Sequence, residues 1–174
     1  MEKIQSKNIF LKLVDENDIN FILNIRHNHK HKVNLGETVL TYEEQKKWLE
    51  EYKIREELKL DFYYVILLKN KERIGLIRIY DIKNNSFEQG SLVIKEGQPI
   101  NIILEALKII YEYAFNCLNL NEGRLRVKKI NKVGNNFHKN YGARLYKEDK
   151  EMNYYNFDSN CIKKIDEILS LIGE

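Results

Sequence analysis

Apolar and polar positions alternate from Ile9 to Val14, a two-residue period that predicts a first strand. Asp15-Glu16-Asn17-Asp18 follows and supplies an N-cap for a helix running to about Arg26. Thr41-Tyr42-Glu43-Glu44 spells a capping box, and a helix carrying Trp48, Leu49 and Tyr52 is expected through about Glu57. Two largely apolar runs, Phe62–Leu68 and Arg73–Asp81, flank the polar Lys69-Asn70-Lys71-Glu72 and read as a hairpin. A second polar turn, Lys83-Asn84-Asn85-Ser86, leads into a strand from Phe87 to Ile94.

The period then changes. Pro99 stands where a helix begins, and its ring is tolerated at the first helical position. Ile102, Ile103, Ala106, Leu107, Ile110, Tyr113, Ala114 and Cys117 repeat at helical spacing. Leu125 and Val127 alternate with Arg124, Arg126 and Lys128, the mark of a half-buried strand whose charged face reads as ordinary solvated surface. A short helix from Asn131 to Tyr141 is expected next, with Asn131 as N-cap and Gly142 suited to a left-handed C-cap. Ala143–Lys147 and Met152–Phe157 form a closing hairpin around Lys150, and Asp158 caps a last helix with Ile162, Ile165, Ile168, Leu169 and Ile172 on one face. The order βααβββαβαββα implies an α+β fold, a sheet with helices on both faces. No stretch rich in Pro, Gly and Ser interrupts it and no repeat appears, so residues 1–174 read as a single domain.

Composition narrows the function classes. The 174 residues suffice for a core without disulfide or metal staples. Cys117 and Cys161 both fall on apolar helix positions and read as small core hydrophobes of a reducing compartment. No apolar run reaches the ~20 residues of a membrane span and no signal-peptide pattern opens the chain, so a soluble cytoplasmic protein is expected. The 29 basic and 26 acidic residues leave a net charge of +3, too small and too mixed for a nucleic-acid footprint.

The block from Phe87 to Tyr146 carries most of the chemistry. A helix that starts abruptly after a strand presents free backbone N–H groups, which suit the pyrophosphate of a nucleotide-like cofactor. Within it lie Glu88-Gln89-Gly90-Ser91-Leu92-Val93-Ile94, Glu105-Ala106-Leu107-Lys108, Tyr113-Ala114-Phe115, Leu118-Asn119-Leu120, Arg124-Leu125-Arg126-Val127, Asn131 and Phe137-His138-Lys139-Asn140-Tyr141-Gly142-Ala143. In these segments and in element order the chain resembles the GNAT superfamily of acyl-CoA-dependent N-acetyltransferases. Within it, the chain looks most like amino-sugar-nucleotide acetyltransferases of the pseudaminic acid pathway, which place an Arg/Asn/His-containing loop before a capped helix, here Arg26 to Trp48.

The resemblance implies a mixed, mostly antiparallel sheet splayed between its fourth and fifth strands, Phe87–Ile94 and Gly123–Ile130. It also implies acetyl-CoA as co-substrate, held by Leu92, Val93, Ile94, Gln98, Ile100, Asn101, Ile102, Asn131, Asn136 and Phe137. The superfamily turn Q/R-x-x-G-x-G/A reads Gln98-Pro99-Ile100-Asn101-Ile102-Ile103 here: Gln98 is kept, while Asn101 and Ile103 replace small residues and leave backbone donors in place. Acetyl transfer to an amine needs a deprotonated amine, a stabilised oxyanion and a protonated thiolate. Glu88 is the expected acceptor of the amine proton. His138, where the family commonly has Tyr, is the expected acid for the sulfur, as imidazolium or as neutral donor.

Arg26, Asn28 and His29 are assigned to the acceptor's phosphates or hydroxyls. The His27-Asn28-His29-Lys30-His31 cluster also has alternate histidines that suit Zn²⁺. The interleaved lysine and the lack of a paired motif favour a polar loop over the acceptor pocket, so no metal is assigned. The expected reaction is acetylation of a primary amine, on a nucleotide-linked amino sugar destined for a surface polysaccharide or flagellin glycan. The alternatives are a protein N-terminus, another small amine, or a non-catalytic acyl-CoA or nucleotide-sugar binding module. Expected partners are therefore small molecules, with the closing hairpin and last helix as a surface for a homodimer.

Overall fold

The computed structural model describes residues 4–28 and 41–173. Its strands are β1 (Ile4–Gln5), β2 (Ile9–Leu13), β3 (Phe62–Leu68), β4 (Arg73–Lys83), β5 (Ser86–Ile94), β6 (Glu122–Lys128), β7 (Arg144–Glu148) and β8 (Met152–Phe157). Its helices are α1 (Ile19–His27), α2 (Tyr42–Glu57), α3 (Ile100–Glu112), α4 (Lys132–Asn140) and α5 (Asn160–Ile172). The strands form one sheet in the order β1-β2-β3-β4-β5-β6-β8-β7, antiparallel throughout except for the parallel pair β5–β6.

The two-residue period of β3 builds both faces of this sheet. Tyr64 and Ile66 enter a core shared with α3 and α5, while Tyr63, Val65 and Leu67 enter a second core with Ile19, Ile22 and Ile25 of α1 and Leu49 and Tyr52 of α2. A strand buried on both faces has no polar alternation to show, which is why Phe62–Leu68 reads as one continuous apolar run. Local signals also hold at the ends of elements. Thr41 Oγ1 accepts from Glu44 N while the Glu44 carboxylate accepts from Thr41 N, the expected capping box. Asn84 and Asn85, at φ +49° and +59°, make the two-residue turn between β4 and β5, a conformation that asparagine tolerates well.

Four details differ from expectation. Strand β1 adds two residues at the sheet edge, too short to carry a period. Pro99 is the cap residue, at ψ 153°, and the helix proper begins at Ile100. Ser159 occupies the cap position of α5, although the Asp158 carboxylate still accepts from Asn160 N at 2.9 Å. Cys117 is exposed whereas Cys161 is buried. Residues Tyr113–Cys117 wind as a π-helical turn, and the wider turn carries Cys117 off the apolar face while Ala114 and Phe115 stay buried.

Pairing of β4 with β5 is interrupted twice. Lys83 faces Ser86, but Tyr80 faces Glu88, Ile79 faces Gln89 and Arg78 faces Gly90; beyond this, Leu76 faces Val93. One extra residue on β4 and a compensating one on β5 produce this slip, and Asp81 (φ +50°) and Ser91 (φ +50°) sit at the two irregularities. On the other side, β5 pairs with β6 at Ser86↔Glu122, Phe87↔Gly123 and Glu88↔Arg124. The two strands share no paired position beyond Glu88 and Arg124, though they continue to Ile94 and Lys128.

Gly123 permits that pairing. A Cβ there would stand 2.2 Å from Cζ of Phe157, whose ring is locked among Phe87, Tyr111 and Phe115. Replacing Gly123 by Ala is expected to destabilise the fold by about 1–3 kcal/mol through overpacking. A urea denaturation midpoint equal to that of the parent protein would refute this account of Gly123.

Candidate active site

The β4 slip decides what Glu88 meets. Opposite it stands Tyr80, whose hydroxyl donates to Glu88 Oε1 at 2.6 Å, and Arg126 Nε on β6 lies 3.0 Å from the same oxygen. Arg126 thus reaches across the β5–β6 boundary to the carboxylate, where the sequence pattern suggested a solvated face. Glu88 Oε2 has no hydrogen bond to the described residues. Burial, and then the bond to Glu88, push the Tyr80 phenol up to about 12, so it stays a donor. The Arg78 guanidinium lies 4.6 Å from the Tyr80 ring centre, 5.0 Å from that of Trp48 and 5.8 Å from that of Tyr63. Asp61, only 1% exposed, holds Arg78 in a two-pronged contact at 2.8 and 2.5 Å and also accepts from Arg55 Nε at 3.0 Å. A side chain on Gly90 would strike the Tyr80 ring at 2.9 Å, so glycine lets that ring lie flat over β5.

Beside this cluster the Tyr63 hydroxyl is buried, with Arg26, Arg78 and Ser91 as its polar neighbours and no well-formed hydrogen bond among the described residues. Burial raises its pKa, against the pull of the neighbouring Arg26 and Arg78 guanidiniums. Arg26 lies half-buried in the last turn of α1, and Asn28, the residue just past the helix, is exposed. His29 lies outside the described residues, as do Lys30 and His31 of the histidine cluster. Among the described residues, no group of three His, Cys, Asp or Glu side chains could hold a metal ion.

At the far end of β5, Val93 is buried and Leu92 and Ile94 are half-buried, next to the left-handed Ser91. The chain turns through Gly97 (φ +83°, with open space where a Cβ would sit) and half-buried Gln98 into α3. That 13-residue helix has no side-chain cap and no acidic residue in its first turn. Ile100 is exposed there, Ile102 is buried and its N–H bonds the Pro99 carbonyl at 3.1 Å. Asn101 faces elsewhere, into a groove of about 510 Å³ between the Gln5–Asn8 turn, α3 and the end of α5.

Helix α4 opens on Asn131, whose side chain accepts from Gly134 N at 2.9 Å. Asn136 is exposed, and Phe137 packs half-buried against Tyr141. The amide that anchors this helix is Asn135: it donates to the Lys128 and Asn131 carbonyls and accepts from Tyr155 Oη and Asn153 Nδ2. Its sequence setting, one polar residue in a polar helix, carried no signal of that. His138 points Nδ1 at Tyr141 Oη. Burial lowers its pKa from 6.5 to about 4, so the ring is neutral at neutral pH. The expectation of a resting imidazolium acid is therefore corrected: desolvation removes that form. No hydrogen bond or ion pair joins His138 to Glu88 among the described residues.

The model of the acetyltransferase (GNAT) domain matches residues 8–144. The chain belongs to the GNAT acetyltransferase family. No protein among those with curated descriptions matches it. Among solved structures it is similar to apo FdhC, a nucleotide-linked sugar GNAT, at 28% identity and TM-score 0.84 over 99% of this chain and 97% of that one. It is also similar to RimL, the ribosomal L7/L12 alpha-N-protein acetyltransferase, in complex with coenzyme A (16%, TM-score 0.78, 92% and 99% covered). A third is spermidine N-acetyltransferase from Vibrio cholerae in complex with CoA and spermine (18%, TM-score 0.76, 89% and 98% covered).

As a GNAT acetyltransferase the protein uses acetyl-CoA, and the residues present fit that molecule. The uncapped, acid-free first turn of α3 suits an anion, and the open side of Gly97 leaves room for it. The backbone of β5 beyond Glu88, unpaired toward β6, suits an extended amide-bearing arm. No helix among the described residues is long and apolar enough to cross a membrane.

The neutral state of His138 has a consequence for stability. Below pH 6.5 the unfolded chain takes up a proton that the folded ring refuses until about pH 4, so stability falls as pH drops through that window. The expected loss is about 2 kcal/mol, since the half-buried ring keeps some contact with water. Urea unfolding at about pH 7 and about pH 4.5 should show a smaller acid loss in His138→Gln than in the parent protein. Equal losses would mean that His138 titrates normally in the fold.

Proposed function

We propose that the chain transfers acetyl from acetyl-CoA to the primary amine of a nucleotide-linked amino sugar. The observation that carries the acceptor is the likeness to a nucleotide-linked sugar GNAT at 28% identity over 99% of the chain. The protein and spermidine acetyltransferases, at 16% and 18%, support the fold alone. The gathering of Arg26 and Arg78 around the buried Tyr63 hydroxyl supports an acceptor rich in anionic or hydroxyl oxygens. The pantetheine arm enters where β5 and β6 cease to pair, with Leu92, Val93 and Ile94 on one side and Asn131, Asn136 and Phe137 on the other. A backbone N–H near Leu92–Ile94 then polarises the thioester carbonyl. Exposed β7 at the sheet edge and exposed Leu171 and Ile172 on α5 support a homodimer built on these elements.

Glu88 takes a proton from the bound ammonium. Tyr80 and Arg126 both engage Oε1, which fixes the carboxylate and leaves Oε2 for the amine. His138 stands at the sulfur.

Coenzyme A release measured across a panel of amines tests the reaction. Turnover with a nucleotide-linked amino sugar, well above that with spermidine or an N-terminal peptide, is expected. A preference for the peptide or the polyamine would overturn the acceptor, and acetyl-CoA binding without any turnover would favour a binding module. For Glu88→Gln, kcat/KM for the amine is expected to fall by about 10²–10⁴. A pH–rate profile indistinguishable from that of the parent would remove Glu88 from the chemistry.

A further inference from the structure

Behind His138 runs a buried file of hydrogen-bonding groups. Its Nδ1 meets Tyr141 Oη, Tyr141 Oη lies 3.1 Å from Tyr111 Oη, and Tyr111 Oη lies 3.4 Å from Gln89 Oε1. The file ends where Gln89 Nε2 donates to the Gly90 carbonyl at 3.3 Å. Tyr111 and Tyr141 are fully buried and Gln89 is 4% exposed, so outside water does not compete for these bonds.

The direction of every bond follows from the last one. A carbonyl oxygen only accepts, so the Gly90 oxygen must face the NH₂ end of the Gln89 amide. That leaves Gln89 Oε1, also an acceptor, toward Tyr111, which therefore donates to it. Each phenol has a single hydrogen to give, and burial pushes both phenols above their usual range, so both stay protonated. With its hydrogen committed to Gln89, Tyr111 Oη accepts from Tyr141. Tyr141 then has nothing left to donate to the histidine, and Nδ1 of His138 must carry the hydrogen. In a neutral ring this leaves Nε2 as a bare lone pair.

We infer that Gln89, Tyr111 and Tyr141 are positioning residues that hold His138 in its Nδ1–H tautomer, so that Nε2 enters the reaction as a proton acceptor. The inference rests on the proposed place of His138 at the sulfur and sharpens its role there. A primary ammonium must lose two protons before the amide is formed. Glu88 takes the first. The amine nitrogen then bonds to the carbonyl carbon and becomes positively charged, while the C=O π pair moves onto the oxygen as an oxyanion. Nε2 takes the second proton from it, and the N–H electron pair stays on nitrogen. The oxyanion pair then re-forms the C=O bond as the C–S bond breaks, the C–S electron pair leaves on sulfur, and the imidazolium returns the proton from Nε2 to that thiolate. His138 ends as it began, and Glu88 passes its own proton to solvent. An imidazolium shaped by burial is a strong acid toward a thiolate, and Tyr141 accepts from Nδ1 throughout.

Long-range ¹H–¹⁵N NMR of the intact protein, with His138 assigned by comparison with His138→Gln, reads the tautomer directly. The expected spectrum at neutral pH has Nδ1 protonated and Nε2 bare. A protonated Nε2 in the neutral ring would overturn the inference without touching the acetyl-transfer reading. Tyr141→Phe keeps the ring and removes the acceptor, so the Nε2–H tautomer should appear. Its kcat should fall by about ten- to a hundredfold, as for other orienting partners, with KM for acetyl-CoA nearly unchanged. A shifted tautomer with unchanged kcat would overturn the catalytic use of the file. Tyr111→Phe, which breaks the file one step further back, should move the tautomer in the same direction but less.

Discussion

Everything at the site depends on how β4 is paired with β5. Between the irregularities at Asp81 and Ser91 the register is displaced by one residue, and a one-residue slip exchanges the faces of a strand. With the slip, Glu88 and Gly90 lie with Tyr80 and Arg78 on one face, and Gln89 turns toward Tyr111 on the other. Without it, Tyr80 would stand opposite Gln89. Two non-glycine residues at φ +50° are an unfavourable backbone choice, on the order of 1 kcal/mol each. They persist because apolar side chains on both faces of β3, β4 and β5 fix the outer parts of the sheet in normal register.

The two faces of β5 then carry different kinds of polar chemistry. On one face charge dominates: Asp61 fixes Arg78, Arg78 supports the Tyr80 ring, and Tyr80 with Arg126 fixes Glu88. On the other the groups are neutral, and a file of two phenols and an amide leads from Gly90 to His138. Burial keeps the phenols protonated and the imidazole neutral, so that face transmits orientation and no charge. Both lines start within three residues of β5, at Glu88 and at Gln89–Gly90, beside the point where its pairing with β6 ends.

Much of the fold was legible locally. The capping box at Thr41, the Asn84–Asn85 turn, the uncapped start of α3 and the left-handed Gly142 each depend on residues within a few positions of one another. Candidate site residues were legible where a single element presents them, as with Glu88 on β5 and His138 on α4. Their partners were not. Arg126 looked like one of three solvated cations, and nothing marked Tyr111, Tyr141 or Asn135 as hydrogen-bonding partners, because a side chain's hydrogen bonds across a sheet leave no spacing in the chain.

The sequence by itself determined the order of elements, the α+β layering and the family, since hydrophobic period, caps and turns are short-range properties repeated along the whole chain. Tertiary structure alone decided the bulged register that aims Glu88, the burial that neutralises His138, and the π-turn that exposes Cys117. Each of these depends on what a residue meets from another element. A bulge, a desolvated ring and a buried hydrogen bond are set by neighbours distant in the chain, and only the packed sheet brings them together.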